Sequence, residues 1–150
     1  MEFIRYSQSS DQARLAEMIG RGDWSAARFL KKLLQEGTFH STLGGEGDVL
    51  LLMDGETIAS FVTLTRQDCI ADESLCPWLG FLFTFPEYRG RGCAGQLLAY
   101  GCELAKSQGH KRVYLATDHV GLYEKYGFHY MENRVDVWGE DSRIYYKELE

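Results

Sequence analysis

Apolar residues recur along this chain with two spacings, and the switch between them marks out the elements. Phe3, Ile4 and Tyr6 suit a short first strand. Ser9 or Ser10 can then cap a helix over residues 11–19, with Leu15, Met18 and Ile19 on one face. After Gly20 and Gly22, Asp23 or Ser25 can cap a second helix. In it Ala26, Phe29, Leu30, Leu33 and Leu34 fall at helical spacing before Gly37. Residues 49–53 and 58–65 flank Asp54-Gly55, a strong hairpin signal, so the sheet begins antiparallel.

Residues 67–77 are polar and end in Pro77, as an exposed loop would. Residues 78–85 are almost wholly apolar, which predicts a central strand covered on both faces. A helix follows to Gln108, its inner face made of Ala94, Leu97, Leu98, Gly101, Cys102 and Ala105. Residues 113–115 form the next strand, parallel to the last because a helix joins them. Asp118 can cap a short helix ending before Gly127, and residues 128–138 and 143–147 close the chain as a hairpin. The fold class is therefore α+β, a mixed and mostly antiparallel sheet flanked by helices.

Composition narrows the function classes. At 150 residues, 45% hydrophobic and 25% charged, the chain reads as a single globular domain over 1–150. No apolar run nears the roughly 20 residues of a membrane span, and the first residues lack signal-peptide order, so a cytoplasmic protein is expected. Cys69, Cys76, Cys93 and Cys102 form no C-x-x-C pair, which favours reduced thiols and no metal site. A net charge of −6 argues against nucleic acid and toward cationic small molecules. It leaves a homodimer open.

Chemistry concentrates where the apolar strand ends. Arg89, Gly90, Arg91, Gly92, Cys93, Ala94 and Gly95 make a basic, glycine-rich turn into a helix. There main-chain amides and the positive end of the macrodipole suit a phosphate. Residues 90–95 also fit G-x-G-x-x-G, with Asp118 at the spacing of a ribose-binding carboxylate and counted with the cofactor-binding residues. Against a dinucleotide fold, only 32 residues follow Asp118, too few for the rest of a doubly wound sheet.

Arg89-x-x-Gly92-x-Ala94, preceded by Pro86-Glu87-Tyr88, resembles the pyrophosphate motif of the GNAT superfamily of acyl-CoA-dependent N-acyltransferases. Leu122-Tyr123-x-x-x-Gly127-Phe128 resembles its partner motif, and the likeness covers roughly residues 48 to 148. It implies splayed parallel central strands with acetyl-CoA in the gap. The pantetheine would lie on the backbone around Leu82, Phe83 and Thr84, and the pyrophosphate on residues 89–95. It also implies direct transfer to an amine of a small molecule or peptide, with Tyr123 protonating the leaving thiolate.

The base is open. Residues 78–85 contain no carboxylate; Glu73 is the nearest candidate, followed by Asp72, Glu140, Asp141 and His119. Cys93, at a helix start, offers a ping-pong alternative that no neighbouring His supports. Trp24, Phe29, Phe39, Trp78 and Tyr130 could line an acceptor pocket. A non-catalytic acyl-CoA sensor and a dinucleotide-dependent oxidoreductase are the rival readings.

Overall fold

A computed structural model describes residues 1–150. Its strands are β1 (Glu2–Arg5), β2 (Gly47–Asp54), β3 (Thr57–Thr65), β4 (Trp78–Thr84), β5 (Arg112–Thr117), β6 (His129–Val135) and β7 (Asp141–Glu148). They make one sheet in the order β1-β2-β3-β4-β5-β7-β6, and only β4 and β5 run parallel. The helices are α1 (Gln12–Ile19), α2 (Ser25–Glu36), α3 (Phe39–Thr42) and α4 (Cys93–Ser107). No helix is long and apolar enough to cross a membrane.

The period of two in the central strands sorts their side chains onto two faces. Leu50, Leu52, Val62, Leu64 and Leu79 pack under α4 through Leu97, Leu98, Cys102 and Ala105. Val49, Leu51, Met53, Ile58 and Phe61 turn the other way, onto Leu15, Ile19, Leu30 and Leu33 of α1 and α2. Each fully buried leucine contributes roughly 1.5–3 kcal/mol, so the helices are fixed to the sheet by these two stripes. The continuous apolar run of residues 49–53 is thus explained by cover on both sides.

Four local expectations are corrected. Asp118 caps no helix: the chain passes through Gly121 at φ +84° before a single 3-10 turn, Tyr123–Tyr126. The Thr117 hydroxyl, not Asp118, accepts there, from the His119 amide at 3.1 Å. Neither α1 nor α2 has a side-chain cap, and Ser9 instead accepts from the Asp11 amide at 3.0 Å. Helix α3 was not expected from the pattern; its Phe39 is buried against the α1–α2 face.

The loop after β3 is only partly exposed. Ile70 is buried with Trp78, Tyr114 and Ile144, which folds residues 67–77 back across the sheet. The β6–β7 turn meets it, the Val137 amide donating to the Cys69 carbonyl at 2.8 Å. Asp136 organises that turn by accepting from the amides of Trp138 and Glu140.

Candidate active site

The parallel pair β4–β5 is joined at one register position, Trp78 opposite Tyr114, with the Tyr114 amide donating to the Pro77 carbonyl at 3.0 Å. Beyond it the strands diverge. Strand β4 is also deformed on its other side, because Phe61 pairs with Phe83 and Thr63 with Gly80, so Val62 alone faces two residues, Phe81 and Leu82. Phe81 adopts φ +53° in this bulge, a conformation costing an L-residue roughly 1–2 kcal/mol. Such strain persists only where the surrounding packing enforces it.

The divergence opens a cleft of about 550 Å³ between residues 80–83 of β4 and residues 115–117 of β5. Leu82 and Phe83 line it; Thr84 lies past its edge, its hydroxyl 3.0 Å from that of Ser60. Three residues after Arg89, which lines the cleft, Gly92 takes φ +77° as the residue before α4, a backbone angle that glycine adopts without strain. The first bond of the helix runs from Gln96 to Gly92, and none of the amides of residues 90–95 donates to another protein group. These hydrogens therefore stand available at the positive end of a 15-residue helix.

The two arginines of the turn diverge. Arg89 folds back along β4, donating through Nε to the Thr84 carbonyl at 2.9 Å and standing 3.6 Å from Asp23. Arg91 lies over the Tyr88 ring at 5.4 Å without an ion-pair partner. The thiol of Cys93 is buried in the core beneath α4, 3.7 Å from the Tyr88 carbonyl, so it faces away from the cleft. Gly95 lies under the Tyr126 ring, where a Cβ would come within 2.8 Å of it. Ala94 is half-buried in the first turn of the helix.

Tyr123 lines the cleft, its ring braced by Phe128 and Tyr145, each 6.2 Å away. Burial, with the neighbouring Tyr126 and Asp118 adding to it, pushes its hydroxyl up to about 12, so it stays a proton donor throughout the physiological range. Asp118, His119, Glu140 and Asp141 also face this cleft. Glu73 does not: it is exposed, accepts from Gln67 at 3.4 Å, and borders an adjoining cavity of about 590 Å³. Asp72 is held down to about 2 by hydrogen bonds from Ser74 and Arg134.

Of the aromatic candidates, Trp24 lines the cleft, stacked on Phe83 at 5.9 Å, and Phe29 lines the adjoining cavity. Phe39 and Trp78 are core residues, and Tyr130 is exposed on β6.

Among the lining acids, the sequence reading named neither Asp136 nor Asp68. Asp68 borders both cavities, and its Oδ1 is buried without a hydrogen-bond partner. Burial pushes its carboxyl up to about 6, outweighing the opposing pull of the Cys69 amide and thiol. The readable signal was Gly80, a lone glycine in an apolar strand, which marks a close approach. A Cβ there would stand 2.3 Å from Asp68 Oδ1.

Comparison with known proteins places this geometry. The chain superposes on an aminoglycoside 6′-N-acetyltransferase from Enterococcus faecium with a TM-score of 0.72 at 14% identity, covering 100% of this chain and 98% of that one. A GNAT-family acetyltransferase from Elizabethkingia anophelis, solved with acetyl-CoA bound, gives 0.69 at 17% identity over 99% and 97%. An acetyltransferase of the GNAT family from Staphylococcus aureus gives 0.65 at 19% identity over 99% of both chains. At these identities the likeness establishes the fold. No curated protein sequence matches the chain significantly. The family model described as "Acetyltransferase (GNAT) domain" matches residues 14–131, most of the sequence and both motifs, and with the splayed β4–β5 pair it establishes that the chain belongs to the GNAT acetyltransferase family.

Proposed function

We propose that this protein, as one domain, transfers the acetyl group of acetyl-CoA directly to a primary amine of a small molecule or peptide. The observation that carries the reading is the row of unclaimed amides over residues 90–95, which follow directly on Arg89, a residue that lines the cleft together with Tyr123. Backbone donors at a helix start suit a diphosphate, and Arg91, free of any carboxylate, adds charge beside them. Arg89 belongs to the same wall but is engaged by Asp23 until something anionic competes for it. Asp118, exposed at the end of β5, is set to receive a polar part of the coenzyme.

The open edge of β4 around Leu82, Phe83 and Thr84 offers main-chain groups to an extended pantetheine arm. Catalysis then comes chiefly from holding the amine against the thioester carbonyl, with Tyr123 giving its proton to the thiolate. Solved structures of this fold hold acetyl-CoA or coenzyme A, which supports the same co-substrate here. The cleft is lined by Asp23, Asp68, Asp118, Asp136, Glu140 and Asp141 against one guanidinium, so a cationic acceptor is favoured. Aminoglycosides, named for three of the similar structures, meet that description.

The test is release of coenzyme A from acetyl-CoA as a panel of amines is added, followed with a thiol-reactive dye, beside calorimetric titration of acetyl-CoA and NAD. Amine-dependent release supports the reading. Acetyl-CoA binding without release by any amine would make the protein a sensor, and preferential NAD binding would overturn the coenzyme assignment.

A further inference from the structure

Resting on the acetyltransfer reading, we propose that the Asp68 carboxylate is the group that takes the proton from the attacking amine nitrogen. Its placement points to this role. Asp68 stands where the cleft and the adjoining cavity meet, a junction that Cys69, Phe81 and Trp138 share with it. Its Oδ1 and the Thr63 hydroxyl are buried side-chain oxygens without a partner, and they converge on one spot. The position of a Cβ on Gly80 lies 2.3 Å from the first and 3.2 Å from the second. Gly80 immediately precedes the bulge that reshapes β4 along the cleft. Orphaned buried polar atoms are rare in native proteins, and a pair at the bulge of the cleft-lining strand calls for a function.

The charges around Asp68 explain why it awaits a cation. Its own loop offers Cys69 and the more distant Glu73; the β6–β7 turn offers Asp136, Glu140 and Asp141. The β5 wall adds Asp118, His119 and Tyr123, and Arg89 across the cleft is engaged by Asp23. No lysine or arginine pairs with Asp68. An enclosed carboxylate without a counter-charge resists ionisation, and this one is pushed up to about 6, whereas Asp72 at about 2 is too weak a base. A base that ionises just below neutrality is both charged at working pH and able to hold a proton.

The step balances. The amine lone pair forms the C–N bond, one nitrogen proton passes to Asp68, the C–S bond breaks, and the sulfur takes its proton from Tyr123. Solvent then reprotonates the phenolate and deprotonates Asp68.

The experiment measures kcat/KM against pH for wild type, Asp68→Asn, Asp68→Glu, Glu73→Gln and His119→Gln, with spermidine and kanamycin as probe amines. The wild type should lose activity as the pH falls through about 6, as protonation of Asp68 removes the acceptor. Asp68→Asn should lack that limb and lower kcat at neutral pH by roughly 10²- to 10⁴-fold while still binding acetyl-CoA, and Asp68→Glu should return part of the rate. Loss of the limb in His119→Gln, or in Glu73→Gln, with its retention in Asp68→Asn, would overturn the proposal. Wild-type turnover by folded Asp68→Asn would do the same. If wild type binds acetyl-CoA but acetylates neither probe nor any amine of the panel, the acetyltransfer reading fails first, and this proposal with it.

Discussion

Replacing Asp68 by asparagine should stabilise the protein while harming its chemistry, and the pH dependence of that gain reports the burial directly. The carboxyl moves from 3.8 to about 6 on folding, because burial outweighs the hydrogens of Cys69 beside it. A folded-state pKa above the unfolded one means that the group favours the fold below pH 3.8 and that this contribution is lost as the pH rises through about 6. A shift of roughly two units corresponds to at most about 3 kcal/mol at neutral pH, and less in practice since the residue keeps some contact with the cleft. Asparagine has no charge to bury. At about pH 7.5 its variant should therefore unfold several degrees higher, one kcal/mol being worth roughly 2–4 °C at this chain length. At about pH 4 the two proteins should melt together. Thermal melts of both at several pH values make the measurement, and the difference between them cancels every other titrating group. A variant no more stable at neutral pH, or a difference that does not change with pH, would show that Asp68 is not held as a charge without a counter-ion.

Three further outcomes follow from the same geometry. Gly80→Ala places a methyl group 2.3 Å from Asp68 Oδ1 and 3.2 Å from the Thr63 hydroxyl, so it should cost about 1–3 kcal/mol in urea unfolding and displace the carboxylate. Full stability with unchanged activity would count against the close approach. Gly92→Val puts a β-branched residue at φ +77°, where open space surrounds the new atoms but the backbone angle is strained. The turn should re-form with different angles and acetyl-CoA affinity should collapse in calorimetry, while circular dichroism still reports a folded chain. Tyr123→Phe keeps the ring braced by Phe128 and Tyr145 and removes only the proton; kcat should fall by roughly 10²-fold or more with acetyl-CoA affinity retained. An undiminished kcat would remove Tyr123 from the chemistry.

The chain by itself determined what depends on short-range pattern. Residues 49–53 and 58–65 announce a hairpin around Asp54-Gly55, the apolar run of residues 78–85 announces a central strand, and the helix after Gly92 shows its inner stripe at a spacing of three and four. The basic glycine turn and the Tyr123 motif were legible for the same reason, each being contiguous. Only the tertiary structure decided which loop acids meet. Asp68, Asp72 and Glu73 look alike in a polar loop, but packing encloses the first, gives the second to Arg134 and leaves the third outside the cleft. Likewise the sequence does not show that the Arg89 side chain reaches back to the Thr84 carbonyl and Asp23. The bulge at Phe81–Leu82 and the single pairing of Trp78 with Tyr114 are equally silent in the sequence. Register is a property of two strands at once, and a carboxyl's charge depends on what surrounds it in space rather than along the chain.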